Sequence, residues 1–219
     1  MTHLRQGYGG QAPDRQGYGG QARVALDVSE IQTYGFGHRS LQWWATAAMM
    51  LIEGMVFAMI IMSYIYLKGR VPHWPPSGPA PDLFWGTVNT VILLVSCLPE
   101  ALTKKAAERF HLAKVRLWTA IALALALAFN IVRFLEFAAL NVRWDSNGYG
   151  SIVWLLLGFH TVHVMTDLLD SAVLTTLVFV GPMDEHKFVD VAENSIYWYF
   201  VVLTWLPIYA LIYYAPRIV

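Results

Sequence analysis

Five stretches of this sequence stay apolar over lengths that a water-soluble domain seldom sustains: residues 41–67, 83–103, 117–140, 151–180 and 196–214. About 20 apolar residues, rising 1.5 Å each as a helix, cross the hydrocarbon core of a bilayer. The pattern therefore predicts an all-α integral membrane protein, a bundle of five transmembrane helices. Composition agrees. Of the 219 residues 57% are hydrophobic and only 14% charged, against about 25% charged in soluble domains. Basic and acidic residues number 15 each, so no bulk charge directs the chain to nucleic acid. Cys97 is the only cysteine; an intrachain disulfide and a thiolate metal cluster are both excluded, and the thiol reads as a small packing group.

The first residues are of another kind. RQGYGGQAPD is followed at once by RQGYGGQARV, a short repeat of Gly and Gln with too little apolar surface to offset the entropy of ordering. Residues 1–36 are expected to be a disordered arm, and residues 37–219 the five-helix transmembrane domain. The breaks between spans carry turn signals: KGRVPHWPPSGPAPD is proline-rich, NVRWDSNGYG is turn-like and GPMDEHKFVDVAEN is polar. TKKAAERFHLAKVR instead has the look of an amphipathic helical extension. Ten of the fifteen basic residues fall in the arm, in that second connection or at Lys187, against four on the opposite side and Arg133 within a span. By the positive-inside rule the N-terminus is inside and the C-terminus outside. Tyr and Trp near span ends, including Trp43, Trp44, Trp74, Trp144, Tyr213 and Tyr214, read as interfacial anchors.

The polar residues inside the spans are the candidate site. Glu53, Arg133, Glu136, His160, His163, Asp167 and Asp170 lie within apolar stretches, where each charge costs about 2.5–3.5 kcal/mol at the bilayer centre. They are expected to face the bundle interior. His160, His163, Asp167 and Asp170 stand at i, i+3, i+7 and i+10, one stripe of a helix. Arg133 and Glu136, at i and i+3, are spaced for a local ion pair. Glu53 has no charged neighbour on its own helix, and His160 is its expected partner. Three uses of the stripe compete: a metal or haem site, a proton or ion path, and a set of polar ties that hold helices together and contact lipid or a partner subunit. Within the spans the Glu-x-x-His pairs of di-iron bundles are absent, and a phosphate-binding glycine loop, GxSxG and HExxH are absent throughout.

Motifs running in order along the chain carry a resemblance. LIEGMVFAMIIMSYIYL contains Glu53; PHWPPSGPAPDLFWGTVNTVILLVS contains Trp74, Pro75, Pro76, Asn89 and Thr90; FLEFAAL contains Glu136. NGYGSIVWLLLGFHTVHV follows with Gly150, Gly158, His160 and His163, and YWYFVVLTWLPIYALIYY with Trp198 and Trp205. From about Leu41 to Tyr214 the chain resembles subunit III of the haem-copper respiratory oxidases (cytochrome c or quinol oxidases) in a compact five-helix form. Tyr199 and Val202 stand where that family usually has His and Asp. The resemblance implies a non-redox accessory subunit that binds neither haem nor copper. Such a subunit packs on subunit I, and through it subunit II, which hold those groups; it holds phospholipid and supports proton uptake during oxygen reduction. Glu53, Glu136, His160, His163 and Asp167 would be its buried polar, lipid-contacting or proton-relay residues, in a bacterial cytoplasmic membrane. A subunit III-like component of a nitric oxide reductase complex, or a free-standing proton or ion carrier, is the alternative.

Overall fold

The computed structural model describes residues 35–38, 40–76, 78–181 and 184–218. The arm expected over residues 1–36 lies, up to residue 34, outside the described residues. The rest forms five long helices: α1 (Leu41–Lys68), α2 (Leu83–Ala107), α3 (Leu112–Ala138), α4 (Gly148–Val180) and α5 (Glu185–Tyr209). A π-helical turn, Ala210–Tyr214, and a 3-10 turn, Ala215–Arg217, continue α5. All five helices are long and apolar enough to cross a membrane. Large apolar side chains such as Leu51, Met55, Leu98, Ile131 and Leu169 point outward, as a bilayer-embedded surface requires.

Local chemistry sets the ends. Ser40 Oγ accepts from Trp43 N–H at 3.1 Å to open α1, and Asn147 Oδ1 accepts from Gly150 N–H at 2.8 Å to open α4; these side chains satisfy amides that the first helical turn leaves unpaired. The prolines of residues 72–81 separate α1 from α2.

Two expectations about the connections are corrected. The amphipathic extension over 103–116 is helical at both ends but is broken between Ala107 and Leu112 into a tight hairpin. Phe110 takes a left-handed backbone (φ 54°), and the amides of Phe110 and His111 bond to the carbonyls of Ala107 and Ala106. This is a Schellman closure with Phe where Gly is usual. Phe110 sits edge-on to both Phe36 and Phe188, contacts that offset the unfavourable backbone. The polar stretch before the fifth span is also helical, from Glu185 instead of Ile196. Phe188, Val189, Val191 and Ala192 are buried there, an apolar face hidden among polar neighbours.

The helices form a ring in the order α1, α4, α3, α2, α5, with α4 also against α5 across the middle. The main core runs through Phe57, Leu93, Phe129, Leu156, Trp198 and Trp205; a smaller one lies around Ala107, Val115, Val178 and Phe188 near the α2–α3 hairpin. α1 is peripheral: of its 28 residues only Phe57 and Tyr64 are buried. It is tied to α5 and its continuation by polar contacts. Gln42 Nε2 donates to Asp190 (2.8 Å), Tyr197 donates to Glu53 (2.9 Å) and Tyr64 donates to the Leu211 carbonyl (2.6 Å).

The two motif glycines of α4 differ. A Cβ on Gly150 would stand 2.1 Å from the Arg143 carbonyl oxygen, whereas one on Gly158 would meet nothing within 4 Å. Gly150→Ala is therefore expected to cost about 1–3 kcal/mol through overpacking. Gly158→Ala should be neutral or stabilising by up to about 1 kcal/mol, the helical preference for Ala. Thermal unfolding of the detergent-purified variants checks both.

Candidate functional site

The intramembrane polar residues form two groups. The inner group centres on Arg133 and Glu136 of α3, both sealed from solvent, with Nη1 to Oε2 at 2.8 Å. The ion pair predicted from their spacing is present. Each neighbouring helix adds to it. Asn89 on α2 donates to Glu136 Oε2 (2.7 Å), and Tyr213 in the π-turn donates to Oε1 (2.5 Å). The guanidinium lies over Trp205 (4.0 Å to the ring centre) and Phe129 (4.7 Å), where the ring faces favour a cation. His160 on α4 places Nε2 3.1 Å from the Val201 carbonyl and Nδ1 3.5 Å from Arg133 Nη2. The carbonyl can only accept, so Nε2 carries the hydrogen and the Nδ1 lone pair faces the guanidinium.

The outer group centres on Glu53 of α1, and here the structure corrects the sequence. The histidine beside Glu53 is His163, with Nε2 3.7 Å from Oε1, and not His160. Three residues rotate a helix by 300°, so the two imidazoles of the stripe diverge by about 60°. His160 turns toward α3 and α5, and His163 toward α1. His163 also donates from Nδ1 to the Phe159 carbonyl at 2.8 Å. Asp167 is buried with it, but Asp170 is exposed, so the stripe is not uniformly interior.

Other motif residues are held by hydrogen bonds within the bundle. Trp74 donates to Tyr64 Oη (2.8 Å), Trp198 to Ser96 Oγ (2.9 Å) and Trp205 to Thr90 Oγ1 (2.8 Å). Thr90 passes its own hydrogen to the Gly86 carbonyl. Pro75 and Pro76 lie in the α1–α2 loop, with a cis bond between Trp74 and Pro75. Trp74 and Tyr213, expected as interfacial anchors, are both buried: their polar ends find partners inside the bundle, so they need no water. Trp44, Trp144 and Tyr214 do stay exposed. Tyr199 reaches only a long 3.5 Å contact to the Cys97 carbonyl, and Val202 is buried.

Sequence reasoning missed several participants. Tyr213 gave no inward signal because its helical phase depends on the π-turn. Gln42, Asp190 and Glu193 were read as ends and loop, yet they line a cavity of about 570 Å³ with Glu53, Asp167 and Asp170, between α1, α4 and α5. A second opening, about 210 Å³ and almost wholly apolar, lies between α1 and α5 at Gly54, Phe57, Ile61 and Leu203.

Replacing Glu136 by Gln keeps one acceptor oxygen, for Asn89 or for Tyr213, and leaves Arg133 without a countercharge. The expected cost is about 3–5 kcal/mol. The double variant Arg133→Met/Glu136→Gln should recover part of that loss. Glu53→Gln, at a half-buried site where Tyr197 can still donate, should cost about 1 kcal/mol or less. Thermal unfolding of the three solubilised variants tests the ranking.

Comparison with known proteins gives this geometry a family. A profile described as cytochrome c oxidase subunit III matches residues 40–216. Cytochrome c oxidase subunit 3 of Thermostichus vulcanus is 28% identical over 169 residues, covering 77% of this chain and 84% of the relative. The corresponding protein of Synechocystis sp. is 26% identical over 179 residues, covering 81% and 77%. That of Bacillus subtilis is 23% identical over 165 residues, covering 74% and 80%. The matched region takes in all five helices and both polar groups, and the chain belongs to the cytochrome c oxidase subunit III family.

Proposed function

We propose that this chain is a non-redox accessory subunit of an oxygen-reducing terminal oxidase, stabilising the catalytic subunit I and, through it, contacting subunit II. The observation that carries this reading is the closure of the inner polar group. Arg133, Glu136, Asn89, Tyr213 and His160 bond to one another across four helices, with Arg133 Nε and Asn89 Oδ1 left without a partner among the described residues, and both imidazole nitrogens of His160 face protein partners. Such a group gives a rigid, specified scaffold; its donors and acceptors point at each other instead of converging on a reacting atom. Haem and copper belong, in this reading, to the partner subunits.

Two further roles go with the scaffold. The apolar opening at Gly54, Phe57, Ile61 and Leu203 has the chemistry to hold an acyl chain of a phospholipid. Glu53, Asp167 and Asp170 line one cavity, and carboxyl groups, which take up and release protons, suit support of proton uptake by subunit I. The membrane is a bacterial cytoplasmic membrane, with the α2–α3 hairpin on the inner side, as the distribution of Lys and Arg favours.

Removing the subunit from its complex should leave initial oxygen consumption largely intact and make activity decay faster over many turnovers. Identical decay with and without it would remove the supporting role. Nitric oxide consumption in place of oxygen consumption by the purified complex would reassign the complex. For orientation, cysteines are introduced singly by Lys105→Cys and Val71→Cys in a Cys97→Ala background. A membrane-impermeant thiol reagent on intact cells should label position 71 and spare position 105; the reverse pattern would invert the topology.

A further inference from the structure

The cavity between α1, α4 and α5 has a lining that lipid chemistry does not explain. Glu53, Asp167, Asp170, Asp190 and Glu193 all border it, and among the described residues no Lys or Arg does. Two basic side chains face these carboxylates from outside the lining: Lys104 of α2 lies within electrostatic range of Glu193, and the His163 imidazole of α4 stands beside Glu53. Gln42 of α1 donates to Asp190, and Tyr197 of α5 donates to Glu53. Asp167 has nothing equivalent. It is 2% exposed, and neither carboxyl oxygen has a hydrogen-bond partner among the described residues. A buried carboxyl group needs a partner in either protonation state, since the ionised form lacks donors and the protonated form leaves its own hydrogen and oxygen unpaired. Glu193, 5% exposed, likewise has Oε2 unpartnered.

We propose that this cavity binds a linear oligoamine, an organic cation whose ammonium groups are spaced along an alkyl chain. Ammonium N–H groups supply the donors that Asp167 and Glu193 lack, and their charge suits a lining of carboxylates. Spacing favours an extended ligand over a chelated metal ion: among the described residues no three His, Cys, Asp or Glu side chains gather closely enough to hold one. The volume, about 570 Å³, greatly exceeds the roughly 30 Å³ share of a single water. Met49 and Leu174 give the wall apolar surface between the carboxylates, against which methylene segments can lie. The phosphate of a lipid headgroup, by contrast, would meet five carboxyl groups and, among the described lining residues, no Lys or Arg to pair with. The carboxylates are those to which support of proton uptake is assigned above, but the test does not depend on that role, because occupancy is read as binding and not as oxygen consumption.

Equilibrium dialysis of radiolabelled spermidine against the intact purified complex, at low ionic strength, tests the proposal. The parent should bind one saturable equivalent, and Asp167→Asn should bind it with roughly tenfold weaker affinity, the loss of one charge-assisted contact. Asp170→Asn, an exposed change that leaves folding intact, should weaken binding by a smaller factor and carries the test if Asp167→Asn fails to assemble. Asp145→Asn, outside the cavity, should bind as the parent does. Absence of saturable binding by the parent, or equal binding by the parent and both cavity variants, would overturn the site. Displacement of spermidine by an equimolar amount of Mg²⁺ would overturn the oligoamine assignment in favour of an inorganic cation.

Discussion

A guanidinium buried in a membrane protein has to be neutralised from within, and the architecture follows from how Arg133 is. Its carboxylate partner lies one turn away on α3, but that leaves three sides of the cluster to be closed by other helices. α2 closes one with Asn89, α4 another with His160, and the end of α5 a third with Trp205 and Tyr213. Lipid competes with apolar contacts between helices on nearly equal terms, so packing alone specifies a bundle weakly. A polar cluster specifies it strongly, because an arrangement that lacked any one of these side chains would expose the rest to hydrocarbon.

The π-turn belongs to the same constraint. Pro207 lies within α5 and cannot donate a main-chain hydrogen bond. Ala210–Tyr214 then winds as a π-helical turn, in which a single inserted residue shifts the phase of everything after it. Both functional contacts of this segment arise there: the Leu211 carbonyl accepts from Tyr64, and Tyr213 donates to Glu136. The chain end is fixed by Arg217, which donates to the carbonyls of Tyr213 and Pro81. Irregular backbone is tolerated at membrane depth only where its polar groups are satisfied by protein, and here they join two helices to the terminus.

Much of this was legible in the sequence, for reasons that differ between elements. The spans were readable because hydrocarbon thickness sets a minimum length, and the Arg133–Glu136 pair because i,i+3 spacing is decided within one helix. The partner of Glu53 was not readable. His160 and His163 share a stripe, and which of them turns toward α1 depends on where α1 packs around α4. The start of α5 was hidden because polar residues dominate GPMDEHKFVDVAEN, although four apolar residues there form a helical face. The hairpin at Phe110 was hidden because the usual glycine at a left-handed position is missing. The cavity carboxylates Asp190 and Glu193 were out of reach for the same reason as the α5 start: a segment read as loop has no face to assign.

The ties between α1 and α5 have a mechanical meaning. Gln42, Glu53 and Tyr64 are eleven residues apart, three helical turns each, so they fall close to one line along α1. Their partners lie at successive depths on α5 and its continuation. Translation of α1 along its axis by a single turn, about 5.4 Å, would break all three contacts together, and a bilayer offers no substitute partners at those depths. Axial slip is thus a concerted, costly event even though little of α1 is buried. The least enclosed helix of the bundle is locked in height, while sideways it leans on whatever lipid or protein stands beside it.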